Sequence, residues 1–549
     1  MATHTPVKQI NQIKRNDLKF VKQIGEGGFS SVYQMTWIHP SLGPIEIAAK
    51  KLIKRDVKEL DIMSGLDHPN IVKLIGVVDE LMDFMLILEL CNRGSLRSYL
   101  QGLNGGRLSD QQFYDWAEQA ARPLEYLKQK HLVHKDVKSP NYMVTTDNNL
   151  KLGDFGIAKF IDQTVGNATE TASCRWMAPE LFVKGILSPK YDIFAYAVVI
   201  WEMRTGKYPF EGLEPQVIAW RVCQKKERLP IPEDCPRPIK DLMKQCWKTD
   251  WKKRPSIEEI ISVIKAAAKE TRQKQITGPW KLERKFELQF VPGKRSRAYG
   301  IAVNPSNRDV AVAHWWSSQV YTNNGEYKHS MDTLQGLEPG MEGETSRPFQ
   351  VTVNPQGTTY IITDSSNHVK CYDSQAHFTG QWVSSCPHAS SGSPWLRGLA
   401  MDHEEHLLVG DCNSKHINRH RQDGSYLSSI KVGIEPTCIA VTSQGAIVVT
   451  EIFKPPQIVS STGQVMCTLK HPVGESQWNP YGVYCHEDII LIANHTTRNI
   501  LCYSESGKYL GDIPVSGFHS PKLPTGVAMT ADGKKLLVCT LRSVHVYSL

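Results

Sequence analysis

The sequence predicts a multidomain protein, with an α+β half followed by an all-β half. Three observations carry this. At 549 residues the chain exceeds a single ordinary domain of about 100 to 200 residues. Up to residue 268 strand-like and helix-like apolar periodicities alternate, whereas beyond Gly278-Pro279 the helical period disappears and short β-rich runs are separated by Gly, Asn, Asp and Pro. Those runs then repeat six times at a spacing of roughly 40 to 50 residues. Hydrophobic content of 41% and charged content of 22% are those of soluble globular chains. No apolar run approaches the roughly 18 residues of a membrane span, and Ile193 to Trp201 comes nearest. Met1 to Asn16 is polar and lacks the apolar centre of a secretory signal, so a cytoplasmic chain is expected. Thirteen Cys without a C-x-x-C pair argue against zinc and against a disulfide framework.

Leu18 to Ile24 is an apolar-rich strand leading into Gly25-Glu26-Gly27-Gly28-Phe29-Ser30-Ser31-Val32-Tyr33, and Val32 to Trp37 returns. Glycines in such a hairpin let backbone N–H groups approach phosphate oxygens, although a Gly-x-Gly hairpin alone is also an ordinary tight turn. In Ile45 to Lys50 strand alternation places Ala48 and Lys50 on one face and turns Lys51 away. Asp56-x-x-Glu59 opens a helix, either as a capping box or with Glu59 turned to Lys50. Met85 to Cys91 reads as a buried strand before Asn92-Arg93-Gly94-Ser95-Leu96, and Phe113 to Lys130 carries apolar residues at helical spacing up to His134.

The first half is organised around His134-Lys135-Asp136-Val137-Lys138-Ser139-Pro140-Asn141 and Lys151-Leu152-Gly153-Asp154-Phe155-Gly156. An acidic residue beside a substrate hydroxyl, an Asn five positions on and a second Asp after a short hairpin supply one proton acceptor and two oxygen ligands for magnesium. The stretch resembles the catalytic loop and D-F-G segment of eukaryotic protein kinases, and the resemblance recurs in order over residues 17–268, after a polar extension 1–16.

The resemblance implies a bilobal kinase fold, ATP and Mg2+ as cofactors, and protein substrates. By it Asp136 is the base and hydroxyl-orienting residue, Lys138 a phosphate contact, and Asn141 and Asp154 the magnesium ligands. Lys50 pairs with Glu59 and faces the α and β phosphates. Ile24, Gly25, Gly27, Gly28, Val32, Ala48, Leu88, Glu89 and Cys91 surround the nucleotide, with Leu88 at the gatekeeper position. Ala178-Pro179-Glu180 closes an activation segment whose Thr164, Thr169 and Thr171 are candidate phosphosites, and Asp192 and Arg254 are structural anchors. Two positions depart from the pattern: Ser30 replaces the third hairpin Gly, and Lys135 replaces an Arg, keeping its charge without the planar two-pronged donor. Lys138 in D-x-K-x-x-N and Ser173 before Trp176-Met177-Ala178-Pro179-Glu180 resemble Ser/Thr kinases of the tyrosine-kinase-like group, including mixed-lineage kinases. Arg175-Trp176-Met177 and Cys246-Trp247 through Arg254-Pro255-Ser256 also occur in tyrosine kinases, so tyrosine or dual specificity stays open. A scaffold that keeps the fold without catalysis is the rival reading, and the filled catalytic positions favour activity.

A polar linker is expected over 269–279 and the repeats over 280–549. Tyr299-Gly300-Ile301-Ala302-Val303-Asn304-Pro305 is echoed by Phe349 to Pro355, Arg397 to Asp402, Thr437 to Val441, Tyr481 to Val483 and Thr525 to Met529. The period signals the blades of a six-bladed propeller. The units resemble NHL repeats, most clearly at Asp364-Ser365-Ser366-Asn367-His368-Val369. The sixth unit is one strand short, and Lys281 to Phe290 is expected to supply that strand and close the ring. Kinase plus NHL propeller also occurs in some bacterial receptor kinases, with a membrane span between the halves.

The repeats hold 14 of the 19 His, all as singletons, so this half is assigned to binding. Residues 281–549 contain 23 Lys and Arg against 23 Asp and Glu, which leaves the whole net charge of +8 in residues 1–280. Affinity for nucleic acid needs clustered Lys and Arg. Protein partners are therefore favoured over RNA, no DNA is expected, and Lys281, Arg284, Lys285, Lys294, Arg295 and Arg297 form the one local basic patch.

Overall fold

The computed structural model describes residues 10–27, 30–52, 57–80, 83–103, 106–160, 171–184, 188–289, 297–314, 317–331, 347–365, 367–384, 394–474, 477–513 and 523–548. Gly28, Thr164, Thr169, Asp56, Lys294 and Arg295 lie outside them, as does the side chain of Thr171. The chain divides into two compact units, residues 1–271 and 272–549.

The first unit opens with a six-stranded sheet formed by β1 (Asn11–Gln12), β2 (Leu18–Gly27), β3 (Ser30–His39), β4 (Gly43–Leu52), β5 (Leu74–Glu80) and β6 (Asp83–Glu89), in the order β1-β5-β6-β4-β3-β2. The period of two divides β4 between its faces. Ile47 and Ala49 pack into one apolar cluster with Met35, Trp37, Val78 and Ile87, which leaves Ala48 and Lys50 on the opposite face. The short helix α1 (Val57–Ser64) follows β4 and carries Glu59.

The rest of the unit is mainly helical: α2 (Leu96–Gly102), α3 (Asp110–Gln129), α4 (Pro179–Lys184), α5 (Lys190–Thr205), α6 (Pro215–Cys223), α7 (Arg237–Cys246) and, up to Thr271, α8 (Ile257–Ile276). Ser109 caps α3 by accepting the Gln112 N–H. Helix α5 is apolar around most of its circumference because it is the central helix, buried from Tyr191 to Met203. It ends at Gly206, whose φ of 68° is the left-handed conformation that lets its N–H reach the Glu202 carbonyl.

Helix α8 runs on to Ile276, so most of the stretch expected as a linker is helical. Glu270, Arg272, Gln273 and Lys274 are adequate helix formers, and no breaker intervenes before Gly278-Pro279. Within the second unit Ile276 and Trp280 belong to an apolar cluster with Ile489, Leu491, Ile500, Val527, Val538 and Tyr547.

The second unit consists of six four-stranded antiparallel sheets. Their first strands are Ala298–Val303, Pro348–Val353, Leu396–Met401, Cys438–Val441, Pro480–His486 and Pro524–Met529. In the first five sheets the strands follow chain order. The sixth takes its outer strand from Lys281–Glu287, which pairs antiparallel with Ser543–Ser548 from Lys281 opposite Ser548 to Glu287 opposite Ser543. Each pair of successive sheets shares an apolar cluster, and one such cluster joins Leu537, Cys539 and Val544 of the sixth sheet to Ala298, Ile301 and Val312 of the first. Residues from all six first strands line one cavity of about 270 Å³.

The repeated glycine has a steric cause. A Cβ on Gly300 would lie 3.1 Å from Gln350 Cα, one on Gly398 would lie 2.7 Å from the Pro436 carbonyl, and one on Gly482 would lie 2.8 Å from Gly526 Cα. Neighbouring first strands therefore approach too closely for a side chain. The acidic or amide residue at the end of several second strands has a cause as well. Asp411, Glu451 and Asn494 accept the backbone N–H groups of Trp395, Glu435 and Asn479, fixing the chain as it turns into the first strand.

Candidate active site

Lys50 Nζ lies 2.7 Å from Glu59 Oε1 and 2.8 Å from Asp154 Oδ1. Lys50 and Glu59 are almost fully buried, while the Asp154 side chain is half-exposed. Glu59 thus reaches Lys50, while the capping box rests on Asp56, outside the described residues. Burial alone would lower the Lys50 ammonium, but the charges of Asp154 and Glu59 outweigh it and hold it above its ordinary value. Burial would likewise raise the Asp154 carboxyl, yet Lys50 holds it below. A charged lysine flanked by two carboxylates is therefore kept beside the hairpin.

The loop from His134 to Asn141 is fixed from beneath. Asp192 accepts the backbone N–H groups of His134 at 2.8 Å and Lys135 at 3.0 Å, an arrangement that accommodates the positive φ of 68° at Lys135. The His134 ring sits 3.1 Å from the Gly153 carbonyl and edge-on to Phe155 at 4.7 Å. Asp136 is gathered with two donors: Lys138 Nζ lies 2.6 Å from its Oδ2, and Asn141 Nδ2 donates to the same oxygen at 2.9 Å and to the Asp136 carbonyl at 2.8 Å. Because the amide nitrogen of Asn141 is used in this way, its carbonyl oxygen is the end left to ligate a cation. The hairpin Tyr142–Val144/Leu150–Leu152 carries the chain from Asn141 to Gly153, whose N–H returns to the Asn141 carbonyl at 2.9 Å. Asp154 follows in the left-handed region at φ 60°.

Among the nucleotide residues expected from the sequence, Gly25 pairs with Val32 and Gly27 with Ser30 across the hairpin, and Ala48 pairs with Leu88 on β6. Ile24 is exposed and Cys91 buried. Burial pushes the Cys91 thiol up to about 11, which makes it an inert packing group. The Glu89 side chain is committed elsewhere, to Lys151 Nζ at 2.7 Å. Arg254 grips Glu180 with two bonds of 2.7 Å in a fully buried pair. Residues present therefore suit magnesium-bound ATP: two oxygen donors, Asp154 and the Asn141 carbonyl, leave coordination positions for phosphate oxygens, as magnesium sites of this kind require. Among the described residues no cluster of three His, Cys, Asp or Glu competes with them.

A sequence profile of the family described as protein tyrosine and serine/threonine kinase matches residues 18–264. Those residues form a protein kinase domain. Among curated proteins, mitogen-activated protein kinase kinase kinase 12 of Rattus norvegicus is 34% identical over 218 residues, 39% of this chain and 24% of its own length. Mitogen-activated protein kinase kinase kinase 13-A of Xenopus laevis is 34% identical over 225 residues, 41% of this chain and 23% of its own. Mitogen-activated protein kinase kinase kinase 7 of Drosophila melanogaster is 34% identical over 260 residues, 46% and 38% of the two chains. The chain thus spans well under half the length of these relatives, and the matches lie in the kinase domain.

One residue of the kinase domain went unread in the sequence. Glu202, fully buried on α5, accepts the Ser139 hydroxyl at 2.7 Å and the Trp176 indole N–H at 2.7 Å, so it joins the catalytic-type loop to the end of the activation segment. An acid inside the apolar run Ile193 to Met203 was the available signal. Burial, only partly offset by those two donors, pushes its carboxyl up to about 7. The folded form therefore holds a proton between about pH 4.5 and 7 that the unfolded chain releases, so this group's contribution to stability falls as pH rises through that window. Glu202→Gln removes the group, and the melting temperature of the variant should drop less between about pH 5 and 7.5 than that of the parent. An unchanged difference in a calorimetric pH series would exclude Glu202 as the titrating group.

Proposed function

We propose that the chain is an ATP- and magnesium-dependent protein kinase that phosphorylates Ser/Thr hydroxyls of proteins and recruits protein partners through a six-bladed, NHL-like propeller. The observation that carries the catalytic part is the convergence of Lys50, Glu59 and Asp154 in one bonded group, with Asp136, Lys138 and Asn141 in another. Magnesium-bound ATP supplies the electrophilic phosphorus and the metal charge that offsets its oxygens. Asp136 orients the attacking hydroxyl and accepts its proton. Lys138 neutralises charge at the transferred group, Lys50 holds the phosphates, Glu59 keeps Lys50 extended, and Asp154 with Asn141 binds the metal. The preference for Ser/Thr rests on Lys138, whose ammonium occupies the Asp136 carboxylate, and on the names of the mitogen-activated protein kinase kinase kinase relatives. Thr164, Thr169 and Thr171 remain the proposed regulatory phosphosites.

The proposed domains are a kinase over 17–268, a junction over 269–279 and a propeller over 280–549. The shared clusters around the six sheets, the common cavity and the Lys281–Glu287 strand support the propeller reading. Protein partners are favoured over RNA because part of the basic patch is neutralised locally: Lys285 pairs with Glu287, and Arg284 with Glu283 at 3.3 Å. The described cysteines are all free thiols, in keeping with a reducing, cytoplasmic setting. No described helix is long and apolar enough to cross a membrane.

The test is to incubate the purified chain with labelled ATP, magnesium and a protein mixture and to map the modified residues. Phosphoserine and phosphothreonine are the expected products. Absence of transfer would favour the scaffold, and phosphotyrosine alone would reverse the specificity.

A further inference from the structure

The balance of charge over residues 281–549 conceals a division between the two ends of the sheets. At the end where first strands begin lie Arg297, Arg347, Arg397, Arg498 and Arg542, each beside the start of a first strand or in a turn between second and third strands. Among the described residues the turns at the opposite end are mainly acidic, with Asp402, Glu404, Glu405, Asp423, Glu487 and Asp488 among others against Arg308, Arg421, Lys508 and Lys534. Among the described residues, three carboxylates at the arginine end are committed to partners. Asp411 accepts backbone N–H groups of Trp395 and Asn413 and the Ser414 hydroxyl, Asp364 is buried against Lys370, and Glu451 is paired with Lys454.

Arg397, at the start of the third first strand, is held between two rings. Its guanidinium lies over the Phe349 ring at 4.8 Å and over the Trp395 ring at 4.3 Å, and its Nε is buried without a hydrogen-bond partner. Among the described residues it makes no ion pair. Stacking on two rings fixes the orientation of the planar guanidinium and leaves its terminal N–H groups for an oxyanion, the geometry a point-charge lysine cannot supply. Tyr299 stands edge-on to Phe349 at 6.2 Å, and Tyr481 lies against His495 at 4.6 Å. Arg397 occupies one face each of the Phe349 and Trp395 rings, a face that a nucleobase would need open for stacking, while Trp395 stays 37% exposed. What remains on offer is positive charge with directed donors.

We propose that this end of the second unit captures a phosphorylated serine or threonine of a partner protein, with Arg397 gripping the phosphate. A phosphate brings nearly two negative charges and three acceptor oxygens, which suits several guanidinium groups at one end better than a single carboxylate does. The inference rests on the partner-recruiting reading above and specifies its ligand. A kinase carrying such a site would hold proteins that are already phosphorylated, its own products included.

The test is fluorescence anisotropy on the full chain, with a labelled degenerate peptide mixture fixed at one phosphothreonine. The same mixture with Thr or with Glu at that position, and mixed-sequence single-stranded RNA, form the other arms. Dissociation constants of about 1 to 10 μM are expected for the phosphorylated mixture, at least tenfold tighter than for the other arms. Arg397→Ala should weaken binding at least tenfold, and Arg397→Lys, which keeps charge and most of the packing, at least threefold, while transfer to a general acceptor protein stays within twofold. Equal binding of the Thr or Glu peptides, tighter binding of RNA, or full affinity in both variants would overturn the site. Partner proteins still captured by both variants would leave recruitment standing and sink only the phosphate assignment. Loss of phosphoryl transfer in the parent chain would sink the kinase reading while the peptide arms still decide this one.

Discussion

Asp136→Asn should lower turnover by roughly 10²- to 10⁴-fold while nucleotide affinity changes less than about threefold. The substitution is nearly isosteric, and the amide oxygen can still accept from Lys138 and Asn141, which now bond the carboxylate at 2.6 and 2.9 Å. The loop therefore keeps its shape. What disappears is the proposed proton acceptor, because an amide nitrogen replaces one carboxylate oxygen. Asp154→Asn should show the opposite division. Its carboxylate is bonded to Lys50 at 2.8 Å and remains half-exposed, so as the proposed metal ligand its loss of charge should raise the dissociation constant of magnesium-bound nucleotide at least tenfold. Titration with a fluorescent nucleotide, with and without magnesium, together with steady-state transfer assays, separates the two. Unchanged turnover in both variants would remove Asp136 and Asp154 from the chemistry.

Trp280→Ala should destabilise the second unit by about 3 to 5 kcal/mol. Trp280 is 6% exposed, lies in the apolar cluster that includes Ile489, Leu491 and Val538, and donates its indole N–H to the Ile276 carbonyl at 2.6 Å. Truncation leaves a cavity and frees that carbonyl. A piece of the chain starting at Lys281 lacks both Ile276 and Trp280 and should be less stable than one starting at Arg272 by a similar amount. Urea unfolding followed by near-ultraviolet circular dichroism measures both differences. Equal midpoints for the two pieces would mean that the helix end contributes nothing to that core.

Trp280 also marks what local sequence patterns do not reveal. Apart from Ile276, its partners lie more than two hundred residues away, so the stretch 269–279 shows only its polar composition and its Gly-Pro break, and reads as a linker although the helix continues to Ile276. Lys50 and Glu59 were legible for the opposite reason: strand alternation fixes the face of Lys50, and the few residues before α1 leave Glu59 little choice of partner. The grouping of Asp136, Lys138 and Asn141 was legible because the proposed chemistry needs those residue types at fixed intervals. Glu202 makes its bonds to Ser139 and Trp176 across the tertiary structure, and no spacing rule connects those three positions. The glycine echo located the repeats, but its cause, the contact between neighbouring first strands, appears only when the sheets are assembled.

The pairing of Lys281–Glu287 with Ser543–Ser548 has a consequence for the order of events at the ribosome. The earlier strand leaves the tunnel long before its partner exists, and at roughly 5 to 20 residues per second the wait is on the order of tens of seconds. The kinase half precedes it and can fold during that time, whereas the sixth sheet cannot be completed until the final strand has been made. Through the interval Lys281–Glu287 is an unpaired strand in a crowded cell, exposed to pairing with the wrong edge. Its sequence, Lys-Leu-Glu-Arg-Lys-Phe-Glu, carries five charges in seven residues, a composition that resists such association while the chain waits.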